Sequence, residues 1–166
     1  MAASFPFRRF QWVIPRLLAR SSAPHYISSD SDQNMDQVAV DALVSQGIHV
    51  VISVNQLVLP QAQRDLLEKN NIQYHHFPIP DFTAPSMEQL RAIWGTVKNL
   101  DGSVGATLVY CGYGHGRTGT VICALQMALS KCSMTQAEYK NNHVETQEQQ
   151  DILDQWGDQW VKGYLR

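Results

Sequence analysis

The stretch Val109 to Thr120, VYCGYGHGRTGT, sets Cys111 six positions before Arg117, with Gly112, Gly114 and Gly116 between them. The thiolate is the nucleophilic form of cysteine, and nearby cations or converging N–H groups favour it over the thiol. Glycines allow successive N–H groups to fold into a nest that binds an anion. Arg117 adds a planar fork that matches two oxygens of a phosphate. These types at this spacing describe a sulfur nucleophile beneath a tetrahedral oxyanion. Cys111 and Arg117 are the candidate catalytic residues, and the backbone of Gly112, Tyr113, Gly114, His115, Gly116 and Arg117 is the candidate phosphate cradle.

Such a loop needs a rigid frame. "ATLVYC" (106–111) and "HVVISV" (49–54) are short apolar, β-branched runs, the pattern of strands buried on both faces. "IQYHHFPI" (72–79) and "FQWVIP" (10–15) are further strand candidates. Helical spacing is read over 35–47, which ends on a glycine, over 60–71, which opens on proline, and over 86–100, which opens on serine. Helices are also read over 117–131, 134–142 and 147–165, and 21–34 as a polar surface loop. Strands alternating with helices predict an α/β domain, three-layered α/β/α, with a mostly parallel sheet of four to five strands. The loop would then lie between a parallel strand and the helix after it, where α/β folds place ligands and where the helix dipole favours an anion.

The remaining composition mainly excludes. A chain of 166 residues suits one domain, with 10–165 as the folded core and 1–9 as a flexible N-terminus. A net charge of −2 provides no footprint for nucleic acid. No apolar run approaches ~18 residues, so no membrane span is expected. Cys111, Cys123 and Cys132 contain no C-x-x-C pair, which points to no metal and to a reducing compartment. Residues 1–29 contain arginines and no acid, a faint likeness to a mitochondrial transit peptide, but "FQWVIP" belongs to a fold. The expectation is a cytoplasmic monomer, with the nucleus also open to it.

C-x5-R followed by Thr118–Gly119 resembles the signature of the cysteine-based protein tyrosine phosphatases, and the fuller string C-x-x-G-x-G-R-T-G-T resembles that of the small atypical dual-specificity phosphatases. The likeness extends to "FQWVIPRLLARSSAP" (10–24), "IPDFTAP" (79–85) and "VETQEQ" (144–149), while 25–70 is only loosely covered. The resemblance implies that Cys111 attacks phosphorus to form a cysteinyl-phosphate, with no cofactor. It implies that Arg117 and the loop amides hold the equatorial oxygens and that Asp81 protonates the leaving oxygen. Thr118 would donate its hydroxyl to sulfur, and Gln149 would orient the hydrolytic water.

Each residue has a plainer rival. Asp81 follows a proline and would suit a turn, and Thr118 would serve equally at a helix start. His75 and His76 lack ligand spacing and read as structural. Cys123 and Cys132 read as core residues, and Asp30 and Asp101 carry no motif of an acid. The chain also departs from the family. Tyr110 stands where histidine usually precedes the nucleophile, and it would either donate to the loop or only pack. Arg16 and Arg20 stand where relatives tend to have glycine, and "KNNHVET" lacks the arginine and proline common before the last helix. The expected substrates are phosphotyrosine and phosphoserine or phosphothreonine of proteins. A small phosphorylated metabolite or nucleotide, or a non-catalytic phosphate-binding role, are the alternatives.

Overall fold

The protein is described from a computed structural model covering residues 4–97, 103 and 105–163. The sheet has five strands in the order β1 (Gln11–Ile14), β2 (Leu18–Ser21), β5 (Ala106–Tyr110), β3 (Ile48–Ser53), β4 (Gln73–His76). β1 runs antiparallel to β2, and all other pairings are parallel. In β5, Leu108 and Tyr110 join the core on one face, while Val109 joins Cys111 on the other. This alternation is why the run is apolar throughout.

Helices cover both faces. α1 (Gln37–Ser45) and α2 (Gln61–Lys69) supply Val40, Leu43 and Leu67 to the first core. α3 (Met87–Val97) and α4 (Gly116–Ser130) supply Ile93, Val121 and Ile122 to the second. α5 (Gln136–Asn141) and α6 (Gln147–Val161) pack outside α4 through Tyr139, Leu153 and Trp156. Trp156 is wholly buried and donates to Ala124 O at 2.9 Å, which ties α6 to α4. Truncating such a residue to alanine costs roughly 3–5 kcal/mol. No described helix is long and apolar enough to cross a membrane.

Several expectations change. β2 is a strand that the sequence reading did not separate. It is short and ends in Ala19–Arg20–Ser21, yet every residue of it is buried. Its hairpin with β1 turns at Arg16, which holds φ 61°, a conformation easiest for glycine. The segment 21–34 is not simply a surface loop, because residues 21–24 are buried and Asp30 enters the site. The N-terminus is anchored from residue 6 onward. Phe7 is 2% exposed and bridges to Pro24, and Arg9 Nε donates to Tyr113 O at 2.7 Å. The helix ends expected at 98–100 and 164–165, like Asp101, lie outside the described residues.

Candidate active site

β5 ends at Tyr110 and α4 begins at Gly116, so Cys111 and the cradle residues fill the strand-to-helix turn. Cys111 is 2% exposed, and its Sγ accepts the Gly114 N–H at 3.2 Å. Gly114 holds φ 102°, and a Cβ there would stand 2.7 Å from the Ser21 backbone, so both conformation and space require glycine. His115 takes the N-cap position of α4 without a capping bond from its side chain. The first N–H of the helix, on Gly116, meets the Glu145 carboxylate, and the positive end of the helix dipole favours an anion at this turn.

Arg117 is almost wholly buried. Its Nη2 meets Asp30 Oδ1 at 2.5 Å, and its Nη1 donates to Asp30 Oδ2 at 3.2 Å and to Ile79 O at 2.9 Å. Asp81 Oδ1 stands 3.2 Å from the same Nη2. Burial pulls the guanidinium down, but the bond to Asp30, with Cys111 and Asp81 close by, outweighs this and holds it above its ordinary value. Asp30 fixes one edge of the guanidinium. Among the described residues nothing accepts from Nε, so Nε, beside an Nη2 already shared with Asp30 and Asp81, is the donor left for a phosphate.

The rim comes from three other segments. The 79–85 turn brings Asp81 to Arg117, with Phe82 at φ 61°, a strained value for a bulky residue. Glu145, which the sequence reading passed over, stands across the opening. A Cβ on Gly116 would fall 2.6 Å from its Oε2. Burial first and the Asp81 charge second raise the Glu145 carboxyl, with Arg117 opposing. The resulting cavity, about 380 Å³, is lined by Cys111 and Arg117 below, by Asp81 and Glu145, and by the rings of Tyr26, Phe82 and Tyr113.

Other candidates sit elsewhere. Thr118 Oγ1 is buried and has no hydrogen-bond partner among the described residues, and the bond that reaches the sulfur comes from the Gly114 amide. Nor is Thr118 the helix cap, a place held by His115. Gln149 does not line the cavity. Its Oε1 accepts from Glu145 N and Thr146 N, and its Nε2 donates to Thr83 O at 3.1 Å, so both ends of the amide are engaged. It ties α6 to the Asp81 turn instead. The Tyr110 hydroxyl is wholly buried and donates to Gln33 Oε1 at 3.2 Å, so it packs and bonds away from the thiol. His115 stacks on His143 at 4.0 Å. Burial, then His143, Arg20 and Arg9, push it down to about 4, so it is neutral near pH 7. His76 bonds Asn55 O, and burial alone lowers His75, as befits structural residues.

A family described as Swiss Army Knife protein, DSP-PTPase phosphatase domain (PTP-SAK), matches residues 7–155. The chain belongs to this family. It is thus a small atypical dual-specificity phosphatase of the cysteine-based protein tyrosine phosphatase superfamily. Tk-PTP in its active form is 29% identical, with 90% of this chain and 96% of that one covered at a TM-score of 0.70. PTPMT1 in complex with PI(5)P, at 12% identity, covers 90% and 95% with a TM-score of 0.70. The core catalytic domain of the PP-IP phosphatase SIW14 from S. cerevisiae, at 18% identity, covers 98% and 93%, also at 0.70. These last two show a shared fold.

Proposed function

We propose that this phosphatase hydrolyses phosphomonoesters through a cysteinyl-phosphate, and that its substrates are phosphotyrosine and phosphoserine or phosphothreonine of proteins. The observation that carries the reading is the sulfur of Cys111 held by the Gly114 amide at 3.2 Å, on the same short loop as Arg117. Cys111 Sγ attacks phosphorus in line with the ester oxygen. Arg117 and the loop amides take up charge on the equatorial oxygens. The ester P–O bond breaks as Asp81 gives its proton to the leaving oxygen, which departs as the alcohol. Asp81 then accepts a proton from water, whose oxygen attacks phosphorus, and the S–P bond breaks to release phosphate and restore the thiolate.

The rim supports an aryl ester with a single phosphate. Rings of Tyr26, Phe82 and Tyr113 offer flat apolar contact to a phenyl group. Asp81 and Glu145 would repel a second phosphate on the same ligand, and His115 adds no positive charge near pH 7. The test compares kcat/KM on a phosphotyrosine peptide, a phosphoserine peptide and an inositol polyphosphate, with Cys111→Ser as control. The phosphotyrosine peptide is expected to rank first, with no turnover in the control. Preference for the inositol polyphosphate would overturn the substrate assignment.

A further inference from the structure

Arg20 lies on β2 with its residue 4% exposed, behind the Cys111–Arg117 loop. Its Nη2 donates to Gly114 O at 3.1 Å and to His115 O at 3.4 Å, and its Nη1 reaches Asn142 Oδ1 at 3.5 Å. Strand pairing fixes its place, since Arg20 is opposite Val109 and Ser21 opposite Tyr110. Asn142 is held in turn by donating to Glu138 O at 3.0 Å. Arg20 and the "KNNHVET" segment are both departures from the family pattern, and here they touch.

A buried cation usually carries a counter-ion, because taking it from water costs several kcal/mol. Among the described residues no carboxylate forms an ion pair with Arg20. Burial lowers this guanidinium, while Cys111 and Cys123 raise it. Its direct partners are therefore the carbonyl oxygens of Gly114 and His115 and the side-chain oxygen of Asn142, and the sulfur of Cys111 is close enough for its charge to favour the guanidinium.

Peptide geometry converts those contacts into a consequence at the site. In a trans peptide the C=O of one residue and the N–H of the next point in opposite directions. Arg20 draws the Gly114 carbonyl to its own side and faces the His115 carbonyl, which also accepts from the Gly119 N–H of the helix. The N–H groups of His115 and Gly116 are thereby turned away from it. If either peptide flipped, a carbonyl oxygen would face the position of an oxyanion.

We propose that Arg20 is a positioning residue that locks the Gly114–His115 and His115–Gly116 peptides in the oxyanion-binding orientation, a role that rests on the phosphatase reading of this loop. The test measures tungstate affinity by calorimetry, kcat on an aryl phosphate, and thermal melting for wild type, Arg20→Met and Arg20→Lys. Arg20→Met is expected to lose about a hundredfold in kcat, the scale of an ångström's misplacement. Its tungstate affinity is expected to fall by roughly tenfold or more. Arg20→Lys, whose ammonium can serve one carbonyl well, is expected to recover part of both losses. Variants that bind tungstate and turn over within about threefold of wild type, far short of that loss, would overturn the proposal, whatever their melting temperatures. If Arg20→Met does not fold, Arg20→Lys decides by the same two readouts. Wild type that neither binds tungstate nor turns over would sink the phosphatase reading itself, and this role with it.

Discussion

The floor and the rim of the cavity are built in opposite ways. The floor is one unbroken stretch whose donors are mostly backbone, and its Cys111 and Arg117 are 2% and 3% exposed. The rim is assembled from side chains on the 26–30 and 79–85 segments with Glu145 and the ring of Tyr113, and its Asp81 and Phe82 are 48% and 64% exposed. Backbone donors held by a strand and a helix cost little reorganisation when charge develops, which suits transition-state stabilisation. Exposed side chains on turns adapt to different leaving groups. The floor should therefore govern every substrate alike, and the rim should distinguish among them.

Breaking the floor should have the largest effect. Arg117→Lys retains charge but loses the planar edge that pairs with Asp30 on one side and phosphate on the other. Turnover should fall by up to ~10³-fold on activated and unactivated esters alike. A loss confined to unactivated esters would erase the distinction between floor and rim.

Asp81→Asn should behave differently. Protonation matters most for a poor leaving group, so phosphotyrosine turnover should fall by about 10²-fold, the low end for a positioned acid, since Asp81 is half exposed. A fluorinated coumarin phosphate, whose leaving group needs no proton, should lose far less. Equal losses on both esters would move Asp81 from the chemistry to the support of its turn.

Smaller effects concern pH and stability. His115 is held down to about 4, against about 6.5 in an unfolded chain. In that window the unfolded state binds more protons, so stability is full above pH ~6.5 and declines as pH falls towards 4. Melting of His115→Asn should show a shallower acid-side decline than wild type, and an unchanged slope would contradict the assignment. Glu145 has the smallest expected effect. Its carboxyl is raised by burial and by Asp81, so its ionisation penalises the folded state as pH rises through its titration. Glu145→Gln should melt higher than wild type at pH 7 and alike at pH well below ~4. A lower melting point at pH 7 would show that the Glu145 charge supports the fold.

The same contrast explains what could be read from the sequence. The floor was legible because its nucleophile, glycines and arginine are contiguous, and the apolar runs around it alternate in period. Asp81 was legible from its own turn, between Pro80 and Phe82. Asp30 was not, because it meets Arg117 across 87 positions, and no local pattern marks such a contact. Glu145 and Gln149 sit together at a helix start, and which one faces the cavity depends on how the capping box uses the Gln149 amide. β2 was missed for a related reason: Arg20 reads as a surface residue until the loop carbonyls it serves are placed beside it.

The central claim is that phosphate passes through the sulfur of Cys111. A denaturing quench within the first turnover on a radiolabelled phosphotyrosine peptide, followed by peptide mapping, tests it directly. The expected result is label on the peptide containing Cys111, absent in enzyme alkylated with iodoacetate beforehand and in Cys111→Ser. Label on any other residue, or turnover that survives in Cys111→Ser, would contradict it.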